Sequence, residues 1–329
     1  MSQTTRKRQN ATMSTQGPDG YDQNWYALGF SRELERGQVV GKDFLDGRVV
    51  LYRGEDGQAR VLSTFCRHLG SDLSVGQVVG NDIRCAFHHW QYGADGRCTK
   101  IPASDRIPDQ ARLFKFPTAE KWGLIWAFNG PEPLFAVPSF VGFAESQLTF
   151  RTVQVADFPV EHWVPLTNSV DFQHLRVLHG LKVEYDPDDV KVADHSLDYD
   201  VHFESPEFGA FDQHIHVSGT NTISLSGKMA GMDALSMFTG TDLPNGHTRG
   251  WVVTATPQAA SDSEEEHQVV EQRLAMMEAF FCGLIEEDTP VINTIHFREG
   301  ILLPADKALA KFLAYVRRYP KAHPLAEFA

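Results

Sequence analysis

Two cysteine–histidine pairs constrain this chain more than any other feature. Cys66 and His68 have one residue between them, and Cys85 and His88 have two. Each pair is short enough to lie in a single loop, so two loops together offer two thiolates and two imidazoles. Such a donor set is typical of a metal centre. The sequence therefore predicts a metal-binding domain in the N-terminal half of the chain.

The order of these ligands separates two kinds of centre. A Rieske [2Fe–2S] cluster needs two cysteines on one iron and two histidines on the other. Each loop can supply one of each. A structural zinc site also accepts two cysteines and two histidines, but its pairs usually group like ligands, as C-x₂₋₄-C and H-x₃₋₅-H. The alternating order favours a [2Fe–2S] cluster bound by Cys66, His68, Cys85 and His88, and leaves zinc as the alternative.

A second set of candidate ligands lies between residues 168 and 179. Asp171 and His174 are three residues apart and would share one face of a helix. His174 and His179 are five residues apart, about 140° around a helix. They can share a metal only if the helix ends or distorts between them. On spacing alone, an incidental pair of histidines is an equal alternative.

A long helix in the C-terminal third offers a carboxylate as third ligand. Ser263 and Glu266 have the spacing of a capping box. The apolar stripe that follows consists of Val270, Leu274, Met277, Phe281, Leu284 and Ile285. Asp288 falls at the centre of this stripe, where a carboxylate is costly unless it is paired or bound to a metal. We predict Asp288 as ligand, with Glu287 and a solvated helix end as alternatives, and a disturbance of the helix at Pro290.

Both regions resemble the Rieske non-heme iron oxygenases. The segments 66–70 and 85–90, followed by Tyr92 and Gly96, are similar to the cluster-binding signature of ring-hydroxylating and related oxygenases. The pattern N-x₂-D-x₂-H-x₄-H in 168–179 resembles the catalytic motif of the same family. The two motifs occur in the order and at a separation similar to those of the family. The resemblance thus spans most of the chain after Trp25.

Four residues in the cluster motif distinguish this chain from its relatives. Gly70 and Phe87 stand where respiratory Rieske proteins carry additional cysteines, which favours the oxygenase type. Ala86 and His89 stand where the family usually has proline and glycine. None of the four is a ligand, but loop stiffness and reduction potential depend on such neighbours.

The resemblance implies a role for each candidate ligand. His174 and His179, with the carboxylate of Asp288, would bind mononuclear Fe(II) in a 2-His-1-carboxylate site. Asp171 would connect His174 to His88 of a neighbouring chain. Head-to-tail association into a homotrimer would place one chain's cluster beside the next chain's iron. A ferredoxin or ferredoxin reductase would supply the electrons, and O₂ would react with an organic substrate at the iron.

The predicted fold class is α+β, in three parts. Residues 1–24 are predicted to be a disordered tail, in which Met13 is an alternative start. Residues 25–135 show short β-type runs between glycine turns and are predicted to form an all-β Rieske domain. Residues 136–329 follow a proline-containing linker and combine strands with helices. The resemblance implies a helix-grip (START/Bet v 1-like) catalytic domain there.

The predicted activity is that of the terminal oxygenase of a multicomponent system. The spacing N-x₂-D-x₂-H resembles monooxygenase and demethylase members, and residues 66–96 resemble steroid-hydroxylating members. The expected substrate is therefore bulky and largely apolar, either alicyclic or aromatic. A ring-dihydroxylating dioxygenase, a Rieske electron carrier without oxygenase activity, and a zinc-stabilised binding protein are the alternatives.

Composition narrows the partners and the location. The net charge of −13 argues against nucleic acid and anionic membranes as partners. No apolar run approaches the ~20 residues that a membrane helix needs, and the N-terminus lacks the apolar core of a signal peptide. A cytoplasmic location is expected. The chain has no glycine-rich dinucleotide loop, so NADH would act only through a separate reductase.

Overall fold

The computed structural model describes residues 16–17, 19–205, 209–229, 231–244, 246–297 and 300–328. The first strands are β1 (Tyr21–Asp22), β2 (Trp25–Phe30), β3 (Val39–Phe44), β4 (Gly47–Arg53), β5 (Ala59–Ser63), β6 (Gln77–Val79), β7 (Asp82–Arg84), β8 (Gln91–Tyr92), β9 (Cys98–Lys100), β10 (Lys115–Phe116), β11 (Thr118–Lys121) and β12 (Leu124–Phe128). The elements that follow are β13 (Leu148–Phe158), α1 (Trp163–Thr167), α2 (Phe172–Val177), β14 (Lys182–Glu184), β15 (Lys191–Val192), β16 (Ser196–Ser205), β17 (Gly209–Ser218), β18 (Thr222–Met229), β19 (Met232–Asp242), β20 (Thr248–Pro257), α3 (Glu264–Ile292), α4 (Lys307–Arg317), β21 (Lys321–Ala322) and α5 (Pro324–Phe328).

The first of two compact units comprises Gly17–Val137 together with the segment from Lys321. Its small antiparallel sheets have the strand orders β10-β5-β4-β3, β11-β12-β2 and β6-β7-β8-β9. β12 is the central strand of its sheet, and all five of its residues are buried, as its apolar sequence requires. One apolar core includes the thiols of Cys66 and Cys85. The predicted all-β N-terminal domain is confirmed.

The C-terminal segment packs with this first unit, which corrects its predicted place in a domain of residues 136–329. β21 pairs with β1, with Ala322 opposite Tyr21. The side-chain amide of Asn129 donates to the carbonyl of Ala322 at 3.0 Å, and Leu325 is buried in the core of the first unit. These partners lie near the other end of the sequence, so local patterns could not reveal them.

The second unit, Pro138–Pro320, consists of one large antiparallel sheet and the long helix α3. The strand order is β13-β20-β19-β18-β17-β16-β14, and β15 pairs with β16. Residues of β16 alternate, with Leu197, Tyr199 and Val201 on the buried face. α3 packs against β13, β19 and β20. The predicted α+β domain with a helix held against a sheet is confirmed.

α3 begins where the capping box predicts it. The hydroxyl of Ser263 accepts the backbone N–H of Glu266 at 3.3 Å. The fully buried apolar residues of its first half are Val270, Leu274 and Met277. The helix continues for two residues beyond Pro290, so the predicted disturbance does not end it. Because Pro290 lies in the last turn, only the hydrogen bond to the carbonyl of Glu286 is lost.

The predicted N-terminal tail and the predicted lack of a membrane helix can be compared with the described part of the chain. The predicted tail 1–24 falls largely outside it, while Tyr21–Asp22 forms β1. Within the described ranges, no helix combines the length and the apolar character that crossing a bilayer requires.

Truncating Leu325 tests the place of the C-terminal segment. We expect Leu325→Ala to lower the free energy of unfolding of the first unit by about 2–5 kcal/mol, because it removes buried methyl groups and leaves a cavity. Thermal loss of the visible cluster absorbance is the measurement. Glu327→Ala changes an exposed residue of the same helix and should have little effect. Equal stability of the two variants would contradict this packing.

Candidate metal centres

The two predicted cluster loops are closely similar turns. In the first, the backbone N–H of Gly70 donates to the carbonyl of Cys66 at 2.9 Å. In the second, the backbone N–H of His89 donates to the carbonyl of Cys85 at 3.1 Å. Each turn therefore closes four residues after its cysteine and presents its histidine in between.

The two thiols lie inside and the two imidazoles outside. Cys66 and Cys85 are buried, whereas His68 and His88 are exposed. Burial and the neighbouring thiol of Cys85 together raise the pKa of Cys66. The rings of His68 and His88 are 4.5 Å apart between centroids. A centre bound here would have one side in the core and the other at the surface.

Two aromatic residues support this arrangement. The indole of Trp90 stacks on the ring of His68 at 4.8 Å, with an interplanar angle of 5°. The hydroxyl of Tyr92 accepts the backbone N–H of Arg67 at 3.0 Å and lies 3.2 Å from the sulfur of Cys66. Both contacts restrict the orientation of a predicted ligand, His68 in one case and Cys66 in the other.

His89 adopts a backbone conformation that usually favours glycine. Its φ is 59°, and Gly70 at the same place in the first turn has a φ of 75°. A left-handed conformation costs a non-glycine residue roughly 1–2 kcal/mol. The second loop therefore carries backbone strain that the first avoids.

The end of α2 brings the second set of candidate ligands together. The carboxylate of Asp171 caps the helix by accepting the backbone N–H groups of Gln173 and His174 at 3.1 and 3.3 Å. α2 ends at Val177, so His179 lies beyond it. The expected end of the helix between the two histidines is therefore present. Their rings are 5.2 Å apart and nearly perpendicular.

Asp288 of α3 lies between the two histidines. Its Oδ1 is 3.1 Å from Nε2 of His179 and 3.8 Å from Nε2 of His174. Asp288 is 9% exposed. Nε2 of His174 is buried and has no hydrogen-bond partner in the described part of the chain. Two imidazole nitrogens and one carboxylate oxygen thus converge, a donor set that fits Fe(II).

The remaining polar atoms of these three residues are held by neighbours. Nδ1 of His174 donates to the backbone carbonyl of Asp171 at 2.6 Å. Nδ1 of His179 donates to the carboxylate of Glu287 at 2.7 Å. The amide of Asn168 donates to Oδ2 of Asp288 at 2.9 Å. Such contacts fix the tautomer and direction of metal ligands. Glu287, the alternative ligand, therefore lies on the far side of His179.

The electrostatics of His179 reflect its two carboxylates. Burial alone would lower its pKa, but its hydrogen bonds to the carboxylates of Asp288 and Glu287 outweigh that effect and raise the pKa above the usual value of 6.5. The site therefore favours positive charge on or beside this ring, as a cation-binding site should.

A cavity with mainly apolar walls opens onto this triad (His174, His179 and Asp288). The sheet contributes aromatic and aliphatic residues, and the second half of α3 contributes Phe281, Leu284 and Ile285. These three belong to the predicted apolar stripe and are only partly buried because they face the cavity. The polar residues on the cavity wall besides the triad are Asn168, Ser169, Gln213 and Ser236.

The sequence did not identify Gln213 or Ser236 as residues of the cavity wall. The histidines of β17, His214 and His216, pair with Asp198 and Asp200 on the face away from the cavity. Gln213 of the same strand faces the cavity instead. The one sequence signal for Gln213 was that it is a single polar residue among the alternating apolar residues of β17.

Comparison with known proteins gives a family for the first region. Residues 24–117 match the model of the Rieske [2Fe–2S] domain. The chain is 37% identical over 115 residues to a probable 3-ketosteroid-9-alpha-monooxygenase oxygenase component of Rhodococcus rhodochrous, covering 35% of this chain and 29% of that protein. It is 36% identical over 188 residues to a cholesterol 7-desaturase of Bombyx mori, covering 54% and 39%. The matches thus span well under half of these curated relatives.

Similarity of structure extends over nearly the whole chain. A structure of Pseudomonas putida NdmA with caffeine has a TM-score of 0.65 and 22% identity, and the match covers 89% of each chain. Dicamba monooxygenase bound to dicamba has a TM-score of 0.68 and 19% identity, with 94% of this chain and 99% of that chain covered. At such identities these likenesses establish the fold alone.

Opposite changes at the two equivalent turn positions test the strain in the cluster loops. Gly70→Ala should destabilise the protein by about 1–2 kcal/mol, because the added methyl has room but the φ is unfavourable. His89→Gly should leave stability unchanged or raise it, since strain is relieved. Thermal bleaching of the cluster measures both. A stabilising Gly70→Ala, or a strongly destabilising His89→Gly, would be inconsistent with these backbone conformations.

The contact between Glu287 and His179 gives a prediction about metal affinity. Glu287→Gln should weaken Fe(II) binding by about 10–100-fold, the usual loss when a ligand's hydrogen-bond partner is changed. Glu286→Gln, at the exposed neighbouring position, is the matched control and should keep normal affinity. Titration of the metal-depleted variants with Fe(II) measures the two affinities. Equal affinities in the two variants would remove Glu287 from the site.

Proposed function

We propose a monooxygenase function from one premise: this chain belongs to the α subunits of the Rieske non-heme iron oxygenases. On that premise it is the terminal component of a multicomponent system that uses O₂ and electrons from a separate ferredoxin or ferredoxin reductase. The product is a hydroxylated or oxidatively demethylated organic compound. The observation that carries the proposal is the convergence of His174, His179 and Asp288 at a cavity with apolar walls.

The residues of the first unit would hold the cluster in a fixed direction. Cys66 and Cys85 would bind the inner iron, and His68 and His88 the outer one. When bound, the cluster supplies one-electron transfer. The exposed imidazoles are the shortest route between the cluster and a partner surface, because the thiols are enclosed by the apolar core.

The residues of the second unit would hold the iron and the substrate. Iron bound by the triad would supply O₂ activation. The carboxylate of Glu287 keeps Nδ1 of His179 protonated, and the carbonyl of Asp171 does the same for Nδ1 of His174. Nε2 of each ring therefore carries the lone pair that can bind a metal. Asn168 orients Asp288. The apolar wall excludes water and holds a ring compound beside the triad.

Asp171 is proposed to link two subunits. Its Oδ1 caps α2, and its Oδ2 makes no hydrogen bond within the described ranges. We expect that oxygen to accept from His88 of a neighbouring copy, and the backbone carbonyl of Asp171 accepts from His174 within the chain. The arrangement requires a ring of identical head-to-tail interfaces, which we propose to be a homotrimer. A monomer in analytical ultracentrifugation of the loaded protein would contradict it.

Exposed apolar side chains beside both centres support such an interface. Leu69 and Phe87 adjoin the cluster ligands, and Val177 and Leu178 adjoin the iron ligands. Clustered exposed apolar residues mark interaction surfaces. The first pair lies next to the proposed cluster ligands, from which electrons would leave. The second pair lies next to the proposed iron ligands, which would receive them.

The substrate is proposed to be a largely apolar ring compound. The relatives and structural neighbours are named for ketosteroids, cholesterol, caffeine and dicamba, all of which contain rings. The cavity beside the triad has mainly aliphatic and aromatic walls. A Rieske electron carrier would need neither this cavity nor the triad. A cytoplasmic location remains part of the proposal.

Removing one iron ligand separates the two centres. His174→Ala should reduce product formation to background, because the triad loses one of three donors, while the cluster keeps its EPR spectrum. His216→Ala replaces a histidine on the outer face of the sheet and should retain full activity. The assay is product formation from a bound ring compound with O₂ and a chemically reduced ferredoxin. Undiminished turnover by His174→Ala would refute the ligand assignment.

A further inference from the structure

A glutamine interrupts the apolar face of β17 that lines the cavity. Phe211, Gln213 and Ile215 share that face, and all three line the cavity. Gln213 is 5% exposed. Its Oε1 is buried and finds no hydrogen-bond partner among the residues that the structure describes. A buried amide without a partner destabilises a folded protein, so this residue is unexplained by stability alone.

The neighbouring strands leave room for the amide to lie across the sheet. Gln213 is opposite Gly227 of β18, and Gly227 is opposite Ala234 of β19. A Cβ on Gly227 would lie 2.9 Å from Nε2 and 3.0 Å from Cδ of Gln213. The side chain therefore lies over the glycine, along a row whose next residue is also small. A larger residue at either position would displace the amide.

Ser236 provides a second unpartnered polar group in the same cavity. It is 2% exposed, and its hydroxyl has no hydrogen-bond partner within the described ranges. Ser236 is on β19, two strands from Gln213, so their backbones are roughly 10 Å or more apart at about 4.8 Å per strand. The two groups can contact different parts of one ligand.

The charges around the cavity limit the ligand. The described residues that line it include no lysine or arginine. An anionic group held beside Gln213, on the sheet side of the cavity, would therefore be buried without a cationic side chain, which is unfavourable. A primary amide both donates and accepts, so it can bind a carbonyl or a hydroxyl whichever way it is turned. A neutral ketone or alcohol fits these conditions.

We propose that Gln213 determines substrate specificity by hydrogen-bonding the carbonyl or hydroxyl of a neutral cyclic compound, with Ser236 as a second contact. The proposal deepens the monooxygenase function and rests on it for the identity of the cavity as the substrate site. The hydrogen bond fixes one end of the substrate on the sheet. It thereby selects which carbon faces the triad.

The test is the affinity of the cluster- and iron-loaded protein for matched bicyclic probes, measured without O₂ so that no turnover occurs. Equilibrium dialysis gives dissociation constants for 2-decalone and decalin. The unchanged protein should prefer the ketone to the hydrocarbon by about tenfold, the value of roughly one hydrogen bond.

Gln213→Leu keeps a similar volume and removes the amide. We expect its affinity for 2-decalone to fall about tenfold while that for decalin stays the same or rises. Ser226→Ala is the matched control, because Ser226 is also buried without a partner in the described structure but does not line the cavity. A preference that survives in Gln213→Leu, or no binding of 2-decalone by the unchanged protein, would overturn the proposal.

Stability distinguishes recognition from a structural role. Without ligand, Gln213→Leu should raise the melting temperature by a few degrees, since an unpartnered buried amide is removed. A lower melting temperature would assign the amide a structural role instead. Gln213→Met provides the same comparison if the leucine variant does not fold. Both readouts are independent of turnover, so failure of hydroxylation would count against the proposed function and not against Gln213.

Discussion

The burial of the Asp288 carboxylate constrains how the helices of the second unit are arranged. Asp288 is nearly buried at the end of a mainly apolar cavity, where an unpaired charge would cost several kcal/mol. It is tolerable because the amide of Asn168 donates to one oxygen and His179 lies within hydrogen-bond distance of the other. The ends of α1 and α2 must therefore reach the same point of α3. The large sheet holds these three elements together and supplies the cavity wall.

The two centres use their local structure in similar ways. In each, the candidate ligands lie in turns or at helix ends, where backbone groups left outside regular hydrogen bonding can orient side chains. Closed turns hold Cys66 and Cys85 inside the first unit, and the end of α2 turns His174 and His179 toward Asp288. In each, a residue of the outer layer fixes a ligand ring: Trp90 stacks on His68 in one, and a carboxylate holds His179 in the other. Residues next to the candidate ligands thus set the orientation of the ligand rings and, we expect, the affinity for the metal.

The sequence predicts best what depends on short spacing. The proposed cluster ligands lie in two local turns, and Asp288 follows from the periodicity of one helix, so each could be proposed without tertiary information. The place of Leu325 in the first unit could not be found, because it depends on contacts between the two ends of the chain.

Gln213 of β17 was missed for a different reason. Alternation identifies two faces of a strand but does not say which of them faces the cavity. The sequence alone therefore could not assign Gln213 to the cavity wall. The role of Glu287 was missed for a related reason: helical angles separate it from Asp288 but do not place His179 beside it. Packing between segments that are distant in sequence determines which face of β17 meets the cavity and which residue Glu287 contacts.

Metal content is the most direct test of two separate iron centres in one chain. Iron and acid-labile sulfide should be measured per chain, together with the EPR spectrum of the reduced protein. We expect about three irons, about two sulfides and a Rieske-type signal. Zinc without sulfide would contradict the cluster. About two irons that added Fe(II) cannot raise to three would contradict the mononuclear site, and with it the oxygenase function.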